Sequence, residues 1–135
     1  MAFDRKGVKM ALIRATSGSG GGNVIGAIYV GDSVYTAGAG LKDLSTIYIL
    51  SAYAQYDSVN KALKIQSPFS ATIEFSSLGS LTETYELRLN GTTILSVTGS
   101  QAKTTTINLS SNDAFTIYRN GTGTSDKVRL VIYPS

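Results

Sequence analysis

The sequence predicts an all-β protein, an antiparallel β-sandwich preceded by an extended N-terminal arm. The 135-residue chain is 42% apolar and only 16% charged, so it can bury a core while leaving a weakly charged surface. Ser and Thr fill nearly a quarter of it, and fourteen Gly accompany only two Pro, which is typical of strands joined by turns. Apolar residues recur with period two along the body, whereas no ten-residue segment combines helical periodicity with capping signals.

Residues 1–16 form a basic arm, and residues 17–23 form a Gly/Ser-rich hinge to a single sandwich domain over residues 24–135. The arm carries the entire formal net charge of +3, because cationic and acidic residues cancel in the rest of the chain. A cationic arm on a neutral body can bind an acidic protein surface, nucleic acid or anionic lipid. Four cations give nucleic acid only a modest, salt-sensitive affinity, so we expect a protein partner, with a solvated tail as the alternative. The candidate partner-binding residues of the arm are Arg5, Lys6, Val8, Lys9, Met10, Leu12 and Arg14.

The first half of the body predicts a strand that is apolar on both faces and, after it, strands on either side of Pro68. Residues 46–56 are rich in Ile, Tyr and Ala with apolar side chains on both faces, which predicts one strand buried on both sides. A helix is the competing interpretation, since Ala and Leu tolerate it. Pro68 separates two alternating segments around Leu63 and Ile73, and we expect it at a sheet edge or a bulge.

Residues 83–98 predict a β-hairpin, because alternating apolar positions flank an Asn-Gly turn signal. A two-residue loop would pair odd positions with even ones. A three-residue loop over residues 89–91, with Gly91 in the left-handed region, pairs odd with odd. We expect the three-residue loop because it gathers the apolar side chains on one face. Those side chains are Tyr85, Leu87, Leu95 and Val97.

The C-terminal third continues the period of two. Residues 104–109 predict a Thr-rich strand, residues 110–113 a turn, and residues 120–126 a loop of turn formers. The alternation resumes at Phe115 and Ile117 and again in the final strand, residues 128–133. In that strand Val128, Leu130 and Ile132 face one way, and Val131 and Tyr133 face the other. Eight or so short strands at this spacing predict a sandwich of the jelly-roll type.

The residue types that catalysis and metal binding most often use are missing. The chain has no His and no Cys, which excludes Ser-His-Asp catalysis, His-ligated zinc, disulfides and thiolate metal sites. Residues 31–33, Gly-Asp-Ser, resemble the nucleophile triplet of a serine hydrolase family, but that family needs a His base. Glu83 and Glu86 are three apart on a strand and project from opposite faces, which is poor geometry for an acid–base pair. We therefore expect no enzyme, no cofactor and no metal.

Tyrosine supplies the candidate for a ligand-binding surface. Most of the eight Tyr lie in strand patterns, where burial in a core or an interface is their commoner fate. Tyr29 and Tyr35 lie beside Gly-rich loops and are candidates for an exposed platform that stacks against a sugar. They predict an alternative function, a lectin-like module that binds a host surface glycan.

The sequence predicts neither an export signal nor a membrane span. Residues 10–13 are four apolar residues followed by Arg14, against the roughly 7–15 of a secretory signal. No run approaches the roughly 18 apolar residues of a membrane span. We expect no signal peptide, no transmembrane segment and no membrane partner.

The layout of the whole chain resembles a known kind of protein. A cationic arm, a Gly/Ser hinge and a compact, Ser/Thr-rich, Cys-free β domain resemble small structural proteins of tailed bacteriophages, namely decoration (cement) proteins and fibre heads. Residues 109–117 and 131–134 are also similar to the closing strands of trimeric jelly rolls of the complement C1q and tumour necrosis factor type. Those proteins usually carry Gly where this chain has Asn112.

The resemblance implies a non-enzymatic virion component, assembled in the host cytoplasm, that works by protein–protein interaction. Its body would form homotrimers through apolar sheet faces. Its arm would lie along a neighbouring capsid subunit and add a strand to it through Val8, Met10 and Leu12. The implied partner is a capsid protein or another virion protein.

Overall fold

The computed structural model describes residues 26–79, 82–121 and 127–135, and their regular secondary structure is entirely β. The strands in chain order are β1 (Tyr29–Ser33), β2 (Gly40–Lys42), β3 (Leu44–Ile49), β4 (Ala54–Asp57), β5 (Ala62–Ile65), β6 (Phe69–Ser77), β7 (Tyr85–Leu89), β8 (Thr92–Val97), β9 (Ala102–Leu109), β10 (Ala114–Arg119) and β11 (Val128–Pro134).

The strands form two antiparallel sheets packed as a sandwich. The five-stranded sheet has the order β3-β1-β11-β6-β9. The six-stranded sheet has the order β4-β5-β10-β7-β8, and β2 also pairs with β10. Apart from the β4–β5 and β7–β8 hairpins, consecutive strands lie in different sheets, as in a jelly roll. The predicted all-β, jelly-roll-type sandwich is confirmed.

The core lies between the sheets and follows from the period of two. On β6, Ile73 and Phe75 are fully buried, and on β10 so are Phe115 and Ile117. Burying each such side chain is worth about 1.5–3 kcal/mol. The final strand alternates as predicted: its inward side chains, Val128, Leu130 and Ile132, belong to the core, and its outward ones do not.

The prediction of one strand over residues 46–56, buried on both sides, is wrong. The chain turns after β3, where the Tyr53 N–H donates to the Leu50 carbonyl at 2.9 Å, and continues in the other sheet as β4. Because β3 is an edge strand, Ile47 remains 45% exposed. The competing helix is absent from this segment.

The β7–β8 hairpin shows the predicted faces but not the predicted loop. Tyr85 pairs with Val97 and Leu87 with Leu95, so the apolar side chains share a face. The loop has two residues, Asn90 (φ 51°) and Gly91 (φ 85°), both in the left-handed region that this tight turn requires. A register shift between Leu87 and Arg88 restores the odd-to-odd pairing. A β-bulge, and not a three-residue loop, therefore brings the apolar side chains to one face.

Pro68 does not mark a sheet edge or a bulge, where it was expected. It directly precedes Phe69, the first residue of β6, and β6 is an interior strand between β11 and β9. Proline is tolerated at this position because its missing N–H is outside the ladder of hydrogen bonds.

The start of the first strand lies beside the end of the last strand. The Ile28 N–H, just before β1, donates to the Ile132 carbonyl of β11 at 2.7 Å, and Leu50 N–H donates to the Ile28 carbonyl at 2.9 Å. The segment that leads into β1 is therefore fixed between β11 and the end of β3.

Candidate assembly interface

The five-stranded sheet carries a second apolar cluster on the face that points away from the core, here called the five-strand face. Ala27, Val30 and Val131 are at most 2% exposed there, and the partly buried Tyr48 and Tyr133 pack against them. The strand period explains this placement, since Val131 and Tyr133 alternate with inward-facing residues of β11. The outer face of an antiparallel sandwich is normally polar. Ala27, Val30 and Val131 are already covered within the single chain, so the accessible part of this cluster is the partly exposed rings of Tyr48 and Tyr133. Tyr is enriched in protein interfaces, which makes these two rings the candidate contact.

The rest of the five-strand face is polar but almost uncharged. Among the described strands, Glu74 is the one charged residue on this face besides Arg129 and Asp32, which form an ion pair. Burial raises the pKa of Tyr133, and the nearby charge of Glu74 raises it further. Depletion of charge is characteristic of interface centres. The remaining side chains from β6 and β9 are Ser70, Thr72, Ser76, Ala102, Thr104, Thr106 and Asn108.

Arg129 and Asp32 face each other across β11 and β1 on this same face. Arg129 Nε lies 2.6 Å from Asp32 Oδ1, and Nη2 lies 2.9 Å from Oδ2, which makes a two-pronged ion pair. The side chains are only 7% and 15% exposed. Arg129 Nη1 is buried without a hydrogen-bond acceptor among the described residues.

Residues 31–33, the hydrolase-like triplet, have structural roles. A Cβ at Gly31 would collide with the Tyr29 ring, so Gly is needed for that ring to lie beneath the strand. Asp32 holds Arg129, and the buried Ser33 Oγ accepts a hydrogen bond from Val128 N–H at 3.0 Å.

Tyr29 cannot form part of an exposed platform, and that prediction is wrong. Its side chain points into the sandwich and is fully buried, because strand parity directs position 29 inward and Val30 outward. Burial raises the pKa of the Tyr29 phenol to about 12.

Tyr35 is 55% exposed on the loop between β1 and β2. Two other apolar side chains are exposed nearby in the sequence, Val34 directly before Tyr35 and Leu41 on β2. We call these three residues the Tyr35 surface. Tyr35 is thus accessible as predicted, while its binding of a glycan stays a prediction.

Two buried cations hold the loop that carries Tyr35. Lys42 Nζ donates to the carbonyls of Thr36 (3.1 Å) and Gly38 (2.8 Å), and Arg119 Nη1 donates to the same carbonyls at 3.2 and 3.3 Å. Arg119 also forms an ion pair with Glu83, with Nε 2.9 Å from Oε1. Burial, and then the nearby charge of Arg119, lower the pKa of Lys42.

Sequence reasoning missed both cations, because Lys and Arg in strands are usually exposed. Position 119 nevertheless continues the inward alternation of Phe115 and Ile117, and this alternation could have predicted that Arg119 is buried.

The outer face of the six-stranded sheet, here called the six-strand face, carries a polar network instead. Glu86 Oε1 accepts hydrogen bonds from Arg88 Nη2 (2.7 Å) and Thr93 Oγ1 (2.9 Å), and Oε2 accepts one from Asn120 Nδ2 at 2.5 Å. The Arg88 guanidinium lies 4.1 Å from the centre of the Tyr118 ring. The hydrogen bonds, led by that from Arg88, lower the pKa of Glu86.

The predicted arm and hinge lie outside the described residues. The arm, with Arg5, Lys6, Val8, Lys9, Met10, Leu12 and Arg14, and the hinge at residues 17–23 fall outside the described part. Within it, no group of three or more acidic residues is placed to hold a metal ion. The described residues also include no helix of the length and hydropathy that a membrane span needs.

Comparison with known proteins identifies the fold and not the family. No protein-family model matches the chain, and no curated protein matches its sequence. Among solved structures, the fold is that of a jelly roll of the tumour necrosis factor type. The crystal structure of rabbit GITRL matches with a TM-score of 0.54 over 79% of this chain and 93% of that chain, at 12% sequence identity.

Proposed function

We propose that the chain is a non-enzymatic structural component of a bacteriophage virion, a capsid decoration (cement) or head-fibre protein. In this proposal the sandwich assembles as a homotrimer through the five-strand face, and the N-terminal arm attaches the assembly to a capsid protein. The observation that carries the assembly step is the pair of partly exposed rings, Tyr48 and Tyr133, that pack on Ala27, Val30 and Val131 on the outer face. The virion role is supported by the sequence layout, and the lack of catalysis by the absence of His and Cys.

The dimensions of the five-strand face set the size of the proposed interface. Five strands about 4.8 Å apart span about 20 Å, and the nine residues of β6 extend for about 30 Å. Because β6 is the longest of the five strands, the area is at most about 600 Å², which is small beside the roughly 800 Å² per partner of a standard interface. A trimer that buries this face would cover Tyr48 and Tyr133 and would bring few charges out of water.

The arm, residues 1–16, supplies the attachment in this proposal. Its alternating Val8, Met10 and Leu12 suit an added strand, and its cations suit an acidic neighbouring surface. Ordering costs about 1–2 kcal/mol per residue in backbone entropy, so the contact must be extensive. Three arms in one trimer would multiply the affinity through avidity.

Light scattering on the full chain and on residues 17–135 tests the assembly. We expect both to be trimers, because the interface lies in the sandwich. Cosedimentation with phage heads stripped of decoration protein tests the attachment. The full chain should bind, and the chain lacking residues 1–16 should not. A monomer at all concentrations would refute the trimer, and equal binding of the two chains would refute the role of the arm.

The alternative function is a lectin-like module that binds a host surface glycan. The exposed Tyr35 surface favours it, because two buried cations fix the loop and so reduce the entropy lost on binding. Tyr35→Ala should then abolish binding on a glycan array without unfolding the domain. Val59→Ala is the control, since Val59 is 87% exposed on the β4–β5 hairpin. Absence of any glycan signal for the unmodified chain would contradict this alternative.

A further inference from the structure

The end strand of the five-stranded sheet, β9, has an open backbone edge. The Ser77 N–H donates to the Gln101 carbonyl at 2.9 Å, beside the first pair of the β6–β9 ladder. Because hydrogen-bonded pairs alternate along an antiparallel ladder, the odd-numbered residues of β9 bond to β6, and the even-numbered ones direct their N–H and C=O groups away from it. No described strand pairs with that side of β9. The even-numbered residues are all exposed, namely Ala102, Thr104, Thr106 and Asn108.

The other described edge strands are less able to accept a partner strand. The β1–β3 register shifts between Val30 and Gly31, and the β7–β8 register shifts between Leu87 and Arg88, so the β3 and β8 edges are irregular. The strands β4 and β2 are only four and three residues long. Bulges and short length protect sheet edges from further pairing. By contrast, β9 pairs with β6 over its whole length without a shift, which makes it the described edge most open to an added strand.

The sequence of β9 favours an identical strand as its partner. Residues 104–109, Thr-Thr-Thr-Ile-Asn-Leu, combine high β-propensity with no charge, no Gly and no Pro. That composition is typical of segments that pair with copies of themselves. Lys103 is the one charged residue of β9. Antiparallel pairing about a twofold axis places the two Lys103 side chains at opposite ends of the contact, so it brings no like charges together.

We propose that β9 pairs in antiparallel fashion with β9 of a second copy of this chain, so that the two five-stranded sheets become one continuous sheet. The alignment that satisfies every outward backbone group sets Thr104 opposite Thr106. It also sets Ala102 opposite Asn108 and places Thr105 on the twofold axis. Both open β9 edges are then used, and the irregular β3 edge at each end of the sheet does not extend it, so the contact closes at two copies.

This pairing goes beyond the proposed function and does not depend on the trimer. It joins two strand edges and leaves the five-strand face uncovered. It buries only the rims of two strands, far less area than a standard interface, so we expect it to be weak in dilute solution. On a surface that holds many copies close together, the same contact would be strengthened by the high local concentration.

Disulfide trapping on the full chain tests the pairing, since the chain has no Cys of its own. In the proposed alignment the two Thr105 residues form a pair without backbone hydrogen bonds, whose Cα atoms are about 4.5 Å apart, within the range of a disulfide. With oxidised glutathione, Thr105→Cys should form a covalent dimer at least about tenfold faster than Ser96→Cys. Ser96 is the control because it is also half-buried and lies on β8, the end strand of the other sheet. Equal rates for the two variants would overturn the proposal.

A charge exchange at positions 104 and 106 separates this pairing from random collision. In the Thr105→Cys chain, Thr104→Lys with Thr106→Lys sets like charges opposite each other and should slow trapping at least about fivefold. Thr104→Lys with Thr106→Glu sets opposite charges there and should restore the rate. Both positions are exposed, so both variants should keep the fold, which circular dichroism checks.

The outcomes for the pairing and for the trimer can be told apart. Equal trapping rates in the two charge variants would overturn the pairing, whatever the molar mass of the unmodified chain. A trimer whose Thr105→Cys variant is not trapped faster than Ser96→Cys refutes the pairing alone. Specific trapping in a chain that light scattering finds to be monomeric supports the pairing and refutes the trimer alone.

Discussion

The two outer faces of the sandwich each carry an arginine paired with a carboxylate, in very different surroundings. Arg129 and Asp32 lie beside the buried Val30 and Val131, and the arginine side chain is 7% exposed. Arg88 belongs to a hydrogen-bonded network around Glu86 that water can reach. Surface ion pairs contribute little to stability, and buried ones matter through the cost of leaving a donor or acceptor unsatisfied. The surroundings, and not the ion pair itself, therefore distinguish the two outer faces.

The largest expected difference between the two faces is the effect on assembly of a lysine introduced into an interior strand. Thr72 on β6 and Thr116 on β10 are both half-buried, point outward and lie in interior strands. Thr72→Lys should abolish assembly, because association would bury an unpaired ammonium group at a cost of several kcal/mol. Thr116→Lys should assemble normally, since its ammonium group stays in water. Molar mass by light scattering measures the difference, and equal masses for the two variants would place the interface elsewhere.

A smaller difference should appear in the stability of the single chain. Val131 is 2% exposed although it points outward. Val131→Ala should therefore lower the free energy of unfolding by about 2 kcal/mol, as in a core. Thr116→Ala on the six-strand face should change it by less than about 0.5 kcal/mol. Urea unfolding at low protein concentration measures both, and equal effects would mean that the outer cluster contributes nothing to the fold.

The smallest expected effect concerns pH and the six-strand face. Hydrogen bonds, chiefly from Arg88, lower the pKa of Glu86 below its ordinary value of 4.5. The ionised form is favoured in the folded state, so its stabilisation is present above pH 4.5 and is lost as the pH falls through the lower folded-state value. The stability difference between the unmodified chain and Glu86→Gln, less than about 1 kcal/mol, should therefore shrink between pH 6 and pH 3. Urea midpoints at both pH values test this, and a constant difference would show that the network does not favour the carboxylate.

Strand parity made the fold and part of the five-strand face predictable from the sequence. The alternation in β11 assigned Leu130 and Ile132 to one face and Val131 and Tyr133 to the other, as the structure shows. The division of residues 46–56 into two strands was not predictable, because the turn there contains neither Gly nor Pro.

Other features depend on partners that are distant in sequence. Asp32 and Arg129 are 97 positions apart, and no local pattern links them. The Tyr29 ring lies against Gly31 of its own strand, but which face of that strand points inward is decided by the distant residues that pack on it. Local reasoning placed Tyr29 beside a Gly-rich loop and therefore at the surface.

The hydrogen bond between Ile28 and Ile132 has a consequence for engineering. Because the start of β1 lies beside the end of β11, a short linker could join residue 135 to residue 26. New termini could then be opened at the exposed tip of the β4–β5 hairpin, near Val59. Such a circular permutant would retain every strand pairing of the sandwich and would display a fused peptide from the six-stranded sheet, away from the five-strand face.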